Sequence, residues 1–187
     1  MSIRGDVKLR YASWREIHRA ILEISNKVMT SYKPEVLITI CKGGLIPARI
    51  MVDLLGLKEL GYIEVKFYKA VGVRDEKPLI TFSAFPPLVA KNVLIIDDVV
   101  DSGRTMQVAV EAVSMHRPRC VKTAAIFVKP WSTFMPDYYY KITNEWIVFP
   151  WEICETMREG LGLEDIVEDR EILKHCNHRN ITDQTES

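Results

Sequence analysis

A chain of 187 residues, 48% hydrophobic and 27% charged, is long enough for one packed domain with a short appendage and too apolar to be disordered. Its 25 Lys+Arg balance 25 Asp+Glu, so the net charge of zero does not advertise a nucleic-acid partner, although a local basic pocket for a small anion is allowed. No apolar run approaches the roughly 18 residues of a membrane span, and the first eleven residues lack a signal-peptide core, so no membrane association is expected. The expected setting is cytoplasmic. There the four cysteines, Cys41, Cys120, Cys154 and Cys176, with no CxxC pair among them, read as scattered free thiols. A glycosylation sequon at Asn180-Ile181-Thr182 is inert without secretion.

Ser13 followed by Glu16 is a capping-box pattern, and Trp14, Ile17, Ile21, Ile24, Val28 and Tyr32 recur at helical spacing, predicting a helix over 13–32 stopped by Pro34. Residues 36–40 form a short β-branched apolar run, which fits a strand covered on both faces. Cys41-Lys42-Gly43-Gly44 follows, then helical periodicity over 45–55 with a stop at Gly56. Alternation over 62–68 predicts a strand. The polar stretch 71–78 (VGVRDEKP) has no periodicity and reads as a loop, and a further strand is expected at 79–82. Residues 93–96 read as a buried strand, 105–116 as a helix, and 124–128 as a strand closed by Lys129-Pro130.

Strands alternating with helices predict an α/β fold: a parallel twisted sheet flanked by helices, with right-handed crossovers. In such sheets ligands bind beyond the carboxyl ends of the strands, where CKGG, DDVVDSGRT and Lys129-Pro130 all fall. The aromatic-rich segment 134–152 is expected to form a small hood over the sheet edge, so the domain would span 1–159 with its hood around 130–152. The remaining 160–187 reads as a charged tail, helical around 164–173. His175, Cys176 and His178 sit together in that tail without a complete metal-ligand set.

The stretch Val93–Thr105, VLIIDDVVDSGRT, carries the most chemistry. Successive backbone N–H groups after Asp101, at a helix N-terminus, make an anion nest to which Ser102 and Thr105 add hydroxyls, while Gly103 permits close approach. Asp97 and Asp98 at the strand end are suited to accept hydrogen bonds from sugar hydroxyls. A sugar bearing a phosphate satisfies both halves. Asp101 alone is equally well read as a helix N-cap.

The string closely resembles the phosphoribosyl-pyrophosphate (PRPP) signature of the type I phosphoribosyltransferases: an apolar strand, two acidic residues, two apolar residues, then Asp-Ser/Thr-Gly-x-Thr. Arg104 occupies its variable position. CKGG resembles the family's pyrophosphate loop, in which a non-proline cis peptide often precedes the lysine position, here Cys41–Lys42. The order of elements to Glu152 is most like the hypoxanthine–guanine and xanthine–guanine enzymes.

The resemblance implies a Mg²⁺-dependent glycosyl transfer from PRPP to N9 of a 6-oxopurine, giving a nucleoside 5′-monophosphate and pyrophosphate in purine salvage. It assigns Asp97, Asp98, Asp101, Ser102, Gly103, Arg104 and Thr105 to PRPP and its 5′-phosphate. Lys42, Gly43 and Gly44 would receive pyrophosphate, joined by Arg74 or Lys77 from the 71–78 loop closing as a lid. Lys129, Trp146 and Ile147 would hold the purine, and Asp97, Asp98 and Glu152 the magnesium. Asp101 would be the general acid/base at N7. Lys129 as a donor suits an oxygen at C6 better than an adenine amino group. A homodimer is expected from the family and from oligomers in general. Two alternatives stay open: an adenine phosphoribosyltransferase, and a non-catalytic regulator that keeps the PRPP site as a sensor.

Overall fold

The computed structural model describes residues 8–68 and 77–182. Thirteen elements follow one another: β1 Leu9–Tyr11, α1 Trp14–Ser31, β2 Val36–Cys41, α2 Leu45–Leu55, β3 Glu59–Tyr68, β4 Lys77–Ala84, β5 Asn92–Val100, α3 Arg104–Ser114, β6 Cys120–Val128, β7 Tyr138–Ile142, β8 Trp146–Val148, α4 Ile153–Arg158 and α5 Arg170–Thr182. They divide into two compact units, Ile17–Thr143 and the described residues on either side of it.

The larger unit is a six-stranded sheet in the order β4-β3-β2-β5-β6-β7, with every neighbouring pair parallel except β3–β4. The chain leaves β2 toward one edge and returns at β5 to build the other, so the strand order reverses between β2 and β5. A parallel sheet leaves a crevice at such a switch point. The runs Val36–Ile40 of β2 and Val93–Ile96 of β5 are buried on both faces, with Thr39 the one polar side chain among them. Val36, Ile38, Val93 and Ile95 pack with Met106, Ala109 and Val113 of α3 into the main core.

Periodicity located these elements, and the differences lie mostly at their ends. Ser13 caps α1 by accepting the Glu16 N–H at 3.3 Å, but the Glu16 carboxylate does not close the box; it pairs with Arg10 at 2.5 Å. The strand expected at 79–82 extends over Lys77–Ala84, because antiparallel pairing with β3 continues to Tyr68↔Lys77. Of the loop expected over 71–78, residues 71–76 and with them Arg74 lie outside the described residues, and Lys77 and Pro78 belong to β4.

The aromatic segment is not a single hood. Tyr138–Ile142 is the sixth strand of the main sheet, parallel to β6 with Ala124 opposite Tyr138. The Tyr138 hydroxyl lies 2.8 Å from Ser31 Oγ, the Tyr139 carbonyl accepts from Lys27, and the Tyr140 ring meets Phe127 edge-on. Alternating side chains of three tyrosines thus cover both faces of an edge strand.

In the smaller unit β1 and β8 form a parallel pair, Leu9 opposite Trp146 and Tyr11 opposite Val148. Below it α4 and α5 pack through Val148, Ile153, Leu163, Val167, Leu173 and Cys176. Here the free-thiol expectation is corrected: Cys154 and Cys176 form a disulfide with Cα atoms 5.0 Å apart, and only Cys41 and Cys120 are free. Helical packing brings the two thiols together across 22 residues of sequence, a proximity that spacing alone does not encode. The tail helix also starts later than expected, at Arg170 instead of near 164, with Asp169 Oδ1 accepting the Glu171 and Ile172 N–H groups as its cap. Among the described residues no helix is long and apolar enough to cross a membrane.

Candidate active site

The site begins where β2 and β5 part. Their pairing ends at Thr39↔Ile96, while β5 runs on beside β6 to Val100↔Val128. Asp97 and Asp98 therefore sit inside a continuing strand, not after it, beyond the end of its pairing with β2. Both carboxylates are largely buried, at 8% and 7% exposure. Asp97 Oδ1 accepts the Asp98 N–H at 2.9 Å, and Asp98 Oδ1 accepts the Val99 N–H at 2.7 Å, so each is held by the amide that follows it. Burial, and then the negative charge of Asp98, push the Asp97 carboxyl well above the usual carboxylate range.

β2 turns away through CKGG. The Cys41–Lys42 peptide is cis, as the resemblance implied. Gly43 packs directly on the second motif: a Cβ there would lie 2.3 Å from Asp98 Oδ2 and 2.5 Å from its Cγ. Gly44 opens α2, and a Cβ there would meet the Ile40 and Ile96 carbonyls and Thr39 Oγ1 within 2.8 Å. Both glycines are demanded by close approach. Burial raises the Cys41 thiol, and the carboxylates of Glu64 and Asp97 add to it. Glu64, opposite Cys41 on β3, is held below its usual range by the Thr81 hydroxyl and by Lys66, with Lys42 contributing. Lys42, within the loop, is thus in electrostatic reach of the Glu64 carboxylate.

Past Val100 the chain makes the turn Asp101-Ser102-Gly103, and α3 starts at Arg104, one residue before the expected start. Gly103 has φ 88°, a left-handed conformation that costs a residue with a Cβ roughly 1–2 kcal/mol. The Arg104 N–H points to Ser102 Oγ at 3.4 Å, and the Arg104 guanidinium lies 5.1 Å from the Phe67 ring centroid. Thr105 is in the first turn of α3.

Lys129 directly follows β6 and is 6% exposed; its N–H bonds the Val100 carbonyl at 2.9 Å, which places it beside Asp101. The segment after it braces the turn Asp101-Ser102-Gly103. The Thr133 N–H and Oγ1 both donate to the Ser102 carbonyl, at 3.1 and 2.9 Å, and Phe134 and Ser132 pack on Gly103. Trp131 Nε1 donates to Asp101 Oδ1 at 2.8 Å. The sequence reading missed Trp131, Thr133 and Phe134, for which the only signal is their place just after a strand end beside the acidic motif.

The larger unit therefore brings together Lys42, Gly43, Gly44, Asp97, Asp98, Asp101, Ser102, Gly103, Arg104, Thr105 and Lys129 around the ends of β2, β5 and β6. Trp146, Ile147 and Glu152 belong to the smaller unit. There the Trp146 N–H bonds the Lys8 carbonyl, Trp146 is 37% exposed, Ile147 is buried, and Glu152 Oε1 accepts the Phe149 N–H at 3.1 Å.

The sequence profile of the family described as "Phosphoribosyl transferase domain" matches residues 9–156. A crystal structure of purine phosphoribosyltransferase from Pyrococcus horikoshii Ot3 superposes with a TM-score of 0.71 at 41% identity, covering 77% of this chain and 93% of that one. The xanthine-guanine phosphoribosyltransferase of Idiomarina loihiensis is 27% identical over 145 residues, 76% of this chain and 86% of its own. The hypoxanthine-guanine phosphoribosyltransferase of Schizosaccharomyces pombe is 28% identical, over 76% of this chain and 88% of its own.

Proposed function

The chain belongs to the phosphoribosyl transferase domain family, and we propose that it is a purine phosphoribosyltransferase transferring the phosphoribosyl group of PRPP to N9 of a 6-oxopurine. The observation that carries this is the contact of Gly43 with Asp98: it makes the CKGG loop and the DDVVDSGRT stretch two walls of one site at the switch point. The names of the three relatives described above, each a purine phosphoribosyltransferase, support the substrate class.

The 5′-phosphate of PRPP fits the turn from Ser102 to Thr105, whose amides open α3. Asp97 and Asp98 receive the ribose hydroxyls. Lys42 and the Gly43 amide receive the pyrophosphate, the group that takes the electron pair when the C1–O bond breaks; the Gly44 N–H is already donated to the Ile40 carbonyl at 2.9 Å. Asp101 takes or returns the proton at N7 as N9 forms its bond to C1. Lys129 donates to the oxygen at C6; an adenine amino group there would leave two donors facing each other.

Magnesium fits the donors present. Adjacent carboxylates, one of them raised by burial and by its neighbour's charge, are an arrangement that a divalent cation relieves, and magnesium usually keeps few protein ligands beside substrate oxygens. When bound it supplies charge neutralisation for the departing pyrophosphate. The resemblance further assigns Glu152 to magnesium or pyrophosphate, Trp146 to stacking on the base and the Ile147 backbone to its edge. A cytoplasmic homodimer completes the proposal.

The test is turnover of PRPP and Mg²⁺ with adenine, hypoxanthine, guanine and xanthine in turn. Nucleotide formed from a 6-oxopurine is the expected result. Turnover of adenine alone would remove the substrate assignment, and PRPP binding without turnover of any base would favour the sensor.

A further inference from the structure

Trp131 touches two groups assigned to the base and has no role in the reaction as proposed. Its Nε1–H donates to Asp101 Oδ1 at 2.8 Å, and the Lys129 ammonium lies 5.6 Å from its ring centroid. It is 56% exposed, so it contributes little to any core. The backbone beneath it is nonetheless held firmly: the Lys129 N–H bonds Val100, the Ser132 N–H bonds Lys129, and Thr133 makes two bonds to Ser102. An exposed indole on a braced turn, aimed at a carboxylate and lying under an ammonium, orients those groups more than it stabilises the fold.

We propose that Trp131 is a positioning residue for the base end of the site, acting on Asp101 through its N–H and on Lys129 through its ring. The inference rests on the reading of Asp101 and Lys129 given above. With Oδ1 engaged by the indole, the carboxylate has one oxygen left for exchange with the purine, and its rotation about χ2 is restrained. A hydrogen bond to a charged acceptor restrains geometry most when it is short and braced. The ring face draws the ammonium to a fixed place by cation–π attraction. One side chain thereby sets the spacing between the group that handles N7 and the group that meets the oxygen at C6.

The experiment is steady-state kinetics on the full chain with PRPP, Mg²⁺ and radiolabelled base, comparing Trp131→Phe and Trp131→Ala, each also in an Asp101→Ala background. Trp131→Phe keeps a ring under Lys129 and removes only the N–H. Its kcat should fall roughly tenfold to a hundredfold, the reach of one hydrogen bond to a charged group, with both KM values within about twofold. With Asp101 replaced by alanine the same change should cost less than about twofold, because its target is gone. Trp131→Ala should lose kcat similarly and also raise the KM for base severalfold, through Lys129.

A Trp131→Phe enzyme with wild-type kcat overturns the inference. So does a loss of the same size with and without Asp101, which is the mark of a structural role. A raised base KM with kcat kept in Trp131→Phe would make the indole a stacking surface and overturn it too. A wild-type protein that turns over no 6-oxopurine removes the underlying reading and the inference with it.

Discussion

Adding one methyl group at Gly43 should damage PRPP binding in a protein that still folds. In Gly43→Ala the Cβ would stand 2.3 Å from Asp98 Oδ2, 2.5 Å from Cγ and 2.6 Å from Oδ1. Ordinary contact needs about 3.5 Å, so roughly 1 Å of movement is forced on the Asp98 carboxylate or on the loop that carries Gly43. Asp98 is not free to yield, since it is 7% exposed and accepts the Val99 N–H at 2.7 Å. Losing that bond costs about 1–3 kcal/mol if the buried donor finds no other partner. A misplacement of 1 Å in a binding constellation is worth up to about a hundredfold. We expect PRPP affinity, measured calorimetrically with Mg²⁺, to weaken between tenfold and a hundredfold, while the thermal midpoint falls by roughly 2–12 °C and the protein stays folded at 25 °C. Unchanged PRPP affinity in a folded Gly43→Ala protein would refute the idea that the two motifs act as one site.

Asp101→Asn should leave PRPP affinity nearly intact and cut turnover by roughly 10²–10⁴; equal losses in both would make Asp101 a binding residue. The Cys154–Cys176 disulfide closes a loop of 22 residues' separation, and Cys176→Ser should cost roughly 3 kcal/mol, seen as earlier proteolysis in the segment joining α4 to α5. Alkylation of both thiols in unreduced protein would contradict that bond. Burial raises Asp137, but its bonds from Lys122 at 2.6 Å and from the Thr123 N–H and hydroxyl at 2.8 and 2.9 Å outweigh this, so its carboxyl titrates below the usual range. A depressed folded value stabilises the fold above the unfolded pKa, about 3.9, and the gain is lost as pH falls through the folded value. Asp137→Asn should therefore lower the melting temperature at pH 7, and its difference from wild type should shrink as pH falls below the usual carboxylate range; parallel curves would refute the assignment.

Much of this site was legible because its chemistry is written in short contiguous strings. Apolar VLITI and VLII mark buried strands, and CKGG and DDVVDSGRT follow them directly, so the parallel sheet brings both to one end. Lys129 was placed by the same logic at the end of β6. The tyrosine run was misread because period-2 alternation of half-polar aromatics fits an edge strand as well as a hood, and only pairing with β6 decides it. The disulfide escaped because thiols 22 residues apart meet through the packing of two helices. Trp131 escaped because its partners are 30 residues away, for Asp101, and two residues away, for Lys129, with neither spacing typical of a motif.

The sequence by itself determined which strands are buried, where the glycines and carboxylates stand along the chain, and what class of ligand they suit. Those are properties of local periodicity and of functional groups, which a linear string carries completely. Tertiary structure decided that β5 runs on past its pairing with β2 through Asp97 and Asp98, that Gly43 lies on Asp98, and that Trp131 holds Asp101. Each of these depends on distances between strands that are neighbours in the sheet and far apart in the chain.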